Sequence, residues 1–526
     1  MRYFDFHTHI LFKQIFDENP NIDTRISSND VTALPKLCSD LPNIIQSQIH
    51  QSQLADFGEE VIAGVVLYGM ESYLAEEVIP LRKFLKSGSK HKLSEKLLKD
   101  IAANKYKAFS QFTLERTLNE YIKASSSFNI LDGADFAEPL PKNKVNVFFV
   151  VEGCHSLVDT HNKYLPPNEF FPVDEILANL DILLTKVKVL SVNPTHLQQS
   201  NLCNHAFAMQ LAKIDPFIPT GNGLEDDGRK VIQGLFNRGV CVDLKHMSYK
   251  SRFDLMNDVD GGKFQNIQPV LCTHTGFTGI SFSEWPGYIN LKKPMPGTSH
   301  LYLEIAKTKQ VRNNPPQKGA PAFNMSTINL FDEEIAWIVS TGGVIGLSLD
   351  RRILGYVGPF DDQPAGIKPG AELIVDKEFF SKKEWKSLSI PDSEIGKLIK
   401  EGDCVTIDEM EEINGGDLPA RNKYFMDHVL LHLKHYFQAC VNAGIPVEVA
   451  QKHITVGSDF DGLINPFLNM EIVNAVGDLK KFIKKKFSLF LTSLKDSKKW
   501  AHELDVDVFA EDFFYNNGYE FVKSRM

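Results

Sequence analysis

Unbroken apolar runs of strand length, each closed by glycine or a polar position, recur along this chain. They are Tyr3 to Ile10, Val61 to Gly69, Val145 to Glu152, Val187 to Asn193, Val240 to Leu244, Pro269 to Thr273, Gly343 to Leu349 and Ile454 to Asp459. Continuous rather than alternating apolar character marks strands buried on both faces, as in a parallel sheet. Segments of helical period lie between most of them, such as 75–125, Gly228 to Arg238 and Asp332 to Ser340. Alternating strands and helices define βα units, and eight such units close a TIM barrel. The pattern therefore predicts an α/β fold, a (β/α)8 TIM barrel, with 1–526 as a single domain. A doubly wound open sheet is the alternative. Against it, no glycine-rich phosphate loop follows a strand, and polar residues stand at many strand ends rather than at one switch point. Two regions break the alternation: about 283–327, rich in Pro, Gly, Asn and Lys, and about 352–420, where Pro-Gly turns mix with charged helical pieces. In a barrel these are large insertions after strands 6 and 7, placed to cover the mouth of a site or to carry an oligomer contact. Ser27-Ser28-Asn29-Asp30 reads as a helix start.

The strand ends carry the chemistry, because catalytic groups of TIM barrels stand at the C-terminal ends of the strands. The first strand ends in His7-Thr8-His9, and positions i and i+2 of a strand share a face. The third ends in Glu152, the fourth is followed by His196, the fifth by His246, the sixth by His274, and the last by Asp459. A lone histidine after an apolar run is more often a core or rim residue than a ligand. The coincidence at six strand ends is what carries the inference. Imidazole nitrogens and carboxylate oxygens without thiolate suit zinc or another borderline divalent ion. Two metals about 4 Å apart can polarise a carbonyl and deprotonate a bridging water. In that division of labour His7 and His9 bind one metal, His246 and His274 the other, and Glu152 lies between them. Asp459 takes the water's proton and passes it to the leaving nitrogen, and His196 stabilises the developing oxyanion. Asp459 also reads as a helix N-cap, since Asp-x-Asp-Gly is a turn signal, with Asp461 as a capping or supporting residue.

Composition narrows the class. A hydrophobic content of 43% and a charged content of 24% are those of an ordinary globular protein. A net charge of -10, with a pI near 5.9, argues against nucleic acid as a partner. The basic run from Lys480 to Lys486 interleaves apolar residues and reads as a solvated helix face. Seven scattered cysteines without a CxxC pair indicate no disulfide framework and a reducing compartment. Met1 leads straight into the first strand, and no apolar run reaches the roughly twenty residues that span a bilayer, so the expected location is cytoplasmic, with no membrane partner.

The blocks Val-Glu-Gly-x-His-Ser at 151–156, Val-Asp-Leu-x-His at 242–246 and Gly-Ser-Asp-Phe-Asp-Gly at 457–462, with the first-strand His-x-His, resemble the membrane (renal) dipeptidases, zinc peptidases of the amidohydrolase superfamily. The likeness extends to Gly223-Leu224 through Gly228-Arg229, to Asp332-Glu333-Glu334-Ile335 and to Asn516-Asn517-Gly518-Tyr519. It implies a barrel with two zinc ions bridged by Glu152, ligands His7, His9, His246 and His274, and His196 and Asp459 in substrate-facing and acid/base roles. It further implies hydrolysis of dipeptides, with some tolerance for a C-terminal D-residue, often by a homodimer.

The departures matter as much. The family commonly carries His-x-Asp on the first strand, where this chain has His9. The family's Arg-Asn, which grips the substrate carboxylate, corresponds here to Ile328-Asn329, so the clamp is missing unless Arg351 or Arg352 replaces it. The absent arginine favours a second reading, a hydrolase of another small amide such as an N-acyl amino acid or a lactam. A third is a metal-binding barrel without catalysis, against which stands the presence of every proposed ligand and of the acid/base.

Overall fold

Each of the eight apolar runs forms a strand, and the computed structural model places them side by side in chain order. It describes all residues except 33–43, 87–88, 161–169, 199, 208–216, 310–320, 356–372, 401, 411–417 and 467–471. Cys38 and the middle parts of both insertions lie outside the described residues.

Twelve strands are described: β1 Tyr3–Thr8, β2 Val61–Leu67, β3 Phe128–Ile130, β4 Val145–Val151, β5 Val189–Val192, β6 Cys241–Asp243, β7 Val270–Thr275, β8 Ile289–Pro294, β9 His300–Ala306, β10 Ile345–Leu347, β11 Val375–Ser381 and β12 Ile454–Val456. The barrel order is β1-β2-β4-β5-β6-β7-β10-β12, and these neighbours are parallel. Closure comes just beyond β12. Thr8 bridges Phe460, the His9 N–H donates to the Phe460 carbonyl at 2.9 Å, and the Asp459 N–H donates to the His7 carbonyl at 3.0 Å. The sheet is thus an eight-stranded parallel TIM-like barrel, and the open doubly wound alternative is excluded. Its strands read as solid apolar runs because β2 and β4 are buried at every position. The short β3 was not foreseen; it lies parallel along the start of β4, with Phe128 opposite Val145.

Helices cover the barrel as the period predicts. Asp226–Asn237 buries Val231, Ile232, Leu235 and Phe236 and places Asp226 and Asp227 in its first turn, where the helix dipole favours negative charge. Tyr249–Asp260 is capped by Ser248, whose Oγ accepts from the Ser251 N–H. The helix start expected near Ser27 is a single 3-10 turn, Ser28–Asp30, closed by a Ser27–Asp30 capping box. Lys480 and Lys484 of helix Val476–Ser493 pair with Glu511.

The two insertions combine. β8 and β9 form an antiparallel hairpin after β7, and β11, from the insertion after β10, pairs antiparallel with β9. The resulting sheet has its own apolar cluster around Trp285, Leu303, Ile305, Phe331, Phe380 and Trp385. Beside it lies a buried ion pair, Arg252 with Glu334. The guanidinium Nε donates to Oε1 at 2.6 Å and Nη2 to Oε2 at 3.1 Å, and the remaining donors reach the carbonyls of Met247, Thr327 and Asn329. Every donor is used, so the pair ties the helix after β6 to the segment leading into β10. Arg252→Met strands a buried carboxylate and is expected to cost about 3–5 kcal/mol in urea unfolding. A loss below about 1 kcal/mol would show that the pair does not hold these elements together.

Six of the seven cysteines are described, and all six are free and buried. No helix among the described residues is long and apolar enough to cross a membrane.

Candidate metal centre

The six strand ends converge on one carboxylate. Glu152, just past β4, is 3% exposed, and its two oxygens face different imidazoles. Oε2 lies 3.5 Å from His9 Nε2. Oε1 lies 3.2 Å from His246 Nε2, 3.4 Å from His7 Nε2, 3.6 Å from His274 Nε2 and 3.7 Å from His196 Nε2. Asp459 Oδ1 lies 3.4 Å from His9 Nε2 and 3.9 Å from His7 Nε2. All seven residues singled out in the sequence therefore meet at the mouth of the barrel.

Local backbone makes this convergence possible. Gly153, at φ +75°, turns the chain sharply after β4, and a Cβ there would sit 2.3 Å from His155 Nδ1 and 3.1 Å from His196 Cβ. Asp459 itself takes φ +62°, and a Cβ on Gly462 would fall 2.0 Å from its Oδ1. Gly462 thus leaves the space in which the Asp459 carboxylate turns toward His9. The turn signal at 459–462 is real, but the carboxylate faces the histidines instead of capping a helix. Asp461 supports the loop, accepting from Lys13 Nζ at 2.6 Å and from the Gln48 N–H at 2.8 Å.

A buried threonine sets the tautomers. Thr273 Oγ1 donates its proton to the Asp243 carboxylate, so only its lone pairs remain for the imidazoles. His7 Nδ1 lies 3.0 Å and His274 Nδ1 3.1 Å from that oxygen, so each carries its proton at Nδ1. Nε2 is then the nitrogen each turns to the site, the one a metal ligand would offer; burial opposes a charge on His7, but Glu152 outweighs it in metal-free protein.

The electrostatics agree. Burial, reinforced by the His196 charge, pushes His246 down to about 3. Burial with the charges of His7 and Lys245 holds His274 well below its ordinary range. Both are therefore neutral, and their Nε2 atoms stand 3.2 Å apart. His7 Nε2 is buried without a hydrogen-bond partner. Neutral imidazoles and an orphaned nitrogen around an anionic carboxylate fit a cation. Burial disfavours the Glu152 anion, but the charges of His196 and His7 outweigh it and hold its carboxyl well below the usual range. Three sets of side chains can each hold an ion: His7, Glu152 and His274; His7, His9 and Asp459; Glu152, His196 and His246. They overlap in Glu152 and His7, and geometry alone does not divide them into the two pairs expected from the sequence.

His196 has a partner that the sequence reading missed. Its Nδ1 lies 2.6 Å from Glu71 Oε1, and Glu71 also accepts from the Tyr68 hydroxyl. Glu71 follows the end of β2, so the strand-end rule that found the others extends to it. Burial opposes a charge on His196, but Glu71 and Glu152 outweigh burial and raise it to about 9. In metal-free protein this pairing stabilises the fold fully below His196's ordinary 6.5 and is lost as pH rises through about 9. Glu71→Gln should therefore shrink the stability lost between those values, measured by urea unfolding. Equal losses in both proteins would sever the link between Glu71 and His196.

Ile328 is 2% exposed. Arg352 forks onto Asp350, with Nε 3.1 Å from both oxygens and Nη2 2.6 Å from Oδ2, and donates to the Leu463 carbonyl. Arg351 is buried in the same loop.

Fold and site together define a barrel whose mouth can hold metal. No protein-family profile matches the chain, and no curated protein matches it by sequence. Solved structures do match. A metallopeptidase from Rhodobacter sphaeroides, liganded with a phosphinate mimic of the dipeptide L-Ala-D-Ala, is 14% identical with a TM-score of 0.51, over 100% of this chain and 99% of that one. The dipeptidase AC, a metallopeptidase of family M19, is 14% identical with a TM-score of 0.48, over 99% and 98%. The probable dipeptidase PvdM from Pseudomonas aeruginosa is 12% identical with a TM-score of 0.44, over 91% and 90%. The chain thus shares, over its full length, the fold of a metallopeptidase.

Proposed function

We propose that this chain is a metal-dependent hydrolase that cleaves the amide bond of dipeptides, with 1–526 acting as one catalytic barrel. The observation that carries the reading is Glu152 buried among His7, His9, His196, His246 and His274. His7 and His9 would hold one divalent ion and His246 and His274 another, with Glu152 between them, its Oε2 toward His9 and its Oε1 toward His246. Nitrogen and oxygen donors without thiolate favour zinc. The bound ions would polarise the amide carbonyl and make water a nucleophile near neutral pH.

The chain's own residues do the rest. Asp459 accepts the proton of the attacking water at its carboxylate and returns it to the leaving nitrogen; burial first, opposed by His9 and His7, raises its proton affinity for this task. Glu71 fixes Nδ1 of His196, which leaves Nε2–H directed at the site to donate to the amide oxygen as it gains charge. The fold shared with a metallopeptidase that binds a dipeptide mimic supports the substrate class. Ile328 supports the second reading, hydrolysis of an N-acyl amino acid or a lactam at the same centre.

Ninhydrin-detected hydrolysis of a dipeptide panel with L-D pairs, by zinc-loaded protein, tests the proposal. Cleavage that a chelator abolishes and zinc restores is expected. No cleavage by protein shown to hold its metals would reject the dipeptide reading and turn the assay to N-acyl amino acids and lactams.

A further inference from the structure

Six lysines among the described residues are buried, and five of them end on a carboxylate. Lys13 pairs with Asp461 at 2.6 Å and Lys480 with Glu511 at 2.7 Å, while Lys307, Lys309 and Lys434 pair closely with Asp376, Glu409 and Asp496. The sixth, Lys245, is 3% exposed, and its Nζ has no hydrogen-bond partner. An ammonium withdrawn from water without a counter-ion costs several kcal/mol. A fold that neutralises every other buried lysine has left this one open.

Its position is informative. Lys245 directly precedes His246 in the turn after β6, and its charge acts on His246, His274 and Asp459. The nearby carboxylates are otherwise engaged. Asp243 accepts from the Thr273 N–H at 3.1 Å, the Thr273 hydroxyl and the Lys245 backbone N–H at 3.0 Å, and Asp459 faces His9. No described carboxylate accepts from Lys245 Nζ, which leaves room for an anion supplied from outside the chain. Of the alternatives named from the sequence, Arg352 forks onto Asp350, Arg351 is buried in the same loop, and Ile328 carries no charge.

We propose that Lys245 binds the free carboxylate of the substrate, so that the site selects amides bearing a free carboxylate over their capped counterparts. This rests on the hydrolase reading above and names the substrate class within it. The same assignment covers dipeptides and N-acyl amino acids, which share that group, and disfavours neutral amides.

The test compares zinc-loaded wild type, Lys245→Met and Lys245→Arg on L-Ala-D-Ala and on its C-terminal amide, with zinc content measured for each. Wild type should prefer the free acid by about tenfold or more in kcat/KM, the range of a charge-assisted hydrogen bond. Lys245→Met should bring that preference close to unity, chiefly through KM for the acid, and Lys245→Arg should retain it. Calorimetric binding of D-alanine to the zinc-loaded proteins reads the same contact without turnover and should weaken about tenfold or more in Lys245→Met. The thermal midpoint of Lys245→Met should not fall, because the change removes an unpaired buried charge; a purely structural lysine would lower it. Should Lys245→Met not fold, Lys245→Gln carries the comparison. If wild type cleaves neither compound, the hydrolase reading fails while D-alanine binding still decides Lys245. Unchanged discrimination and unchanged D-alanine binding in the neutral variants would overturn the assignment.

Discussion

Asp459→Asn is expected to keep the metal content of the wild type and to lower kcat by about 10²–10⁴-fold, the contribution of a positioned general acid–base. The amide keeps the shape of the side chain in the space left by Gly462 but cannot take a proton at the position of Oδ1. The backbone at Asp459 is already committed to φ +62°, and its N–H closes the barrel onto the His7 carbonyl. Asparagine tolerates that left-handed geometry well, so the substitution isolates the proton transfer from the fold. Single-turnover assays with metal analysis on the same samples separate the outcomes. Turnover near that of the wild type would remove Asp459 from the mechanism, and lost metal would make it a ligand instead.

Glu152→Gln should have the larger effect, because it removes the anion that all the imidazoles share. Metal affinity is expected to fall by at least about 100-fold, since changes even to partners of ligands reach 10- to 100-fold. Activity should drop to background with it. The Gln side chain fills the same volume, so the far-UV circular dichroism should match the wild type. A Glu152→Gln protein that retains its metals through dialysis and still turns over would show that the carboxylate does not hold the centre together.

Much of this architecture was legible because parallel barrel strands leave a coarse signature. β2 and β4 are apolar at nearly every position since both faces are covered, and runs of that kind survive without an alignment. The site was legible for a related reason: each run ends abruptly in a titratable residue, and the barrel turns those ends to a common mouth. What the sequence hid is instructive. β8, β9 and β11 form a half-exposed sheet whose strands carry lysines, glutamates and a proline, and Asp376-Lys377-Glu378 reads as a polar piece until its partner strand is known. The insertions therefore looked like separate turn-rich additions, although they pair with each other. β3 is too short to show a period. Glu71 follows the second strand, but Gly69 ends the apolar run two residues before it, so it does not read as a strand end. Thr273 and Asp243 look like ordinary strand residues, and only the hydrogen bonds that Thr273 donates to Asp243 and accepts from His7 and His274 reveal that they set the tautomers. The solitary state of Lys245 could not be seen in the sequence, because a lysine's counter-ion is a property of the fold.

The proposed hydrolysis needs a two-metal centre at these strand ends. Titration of metal-stripped protein with zinc, followed by calorimetry and by metal analysis after dialysis, tests it most directly. Two ions per chain are predicted for the wild type, with binding at one of the sites lost in His246→Ala. Failure to bind zinc or any other divalent ion, or the same stoichiometry in wild type and His246→Ala, would contradict the assignment.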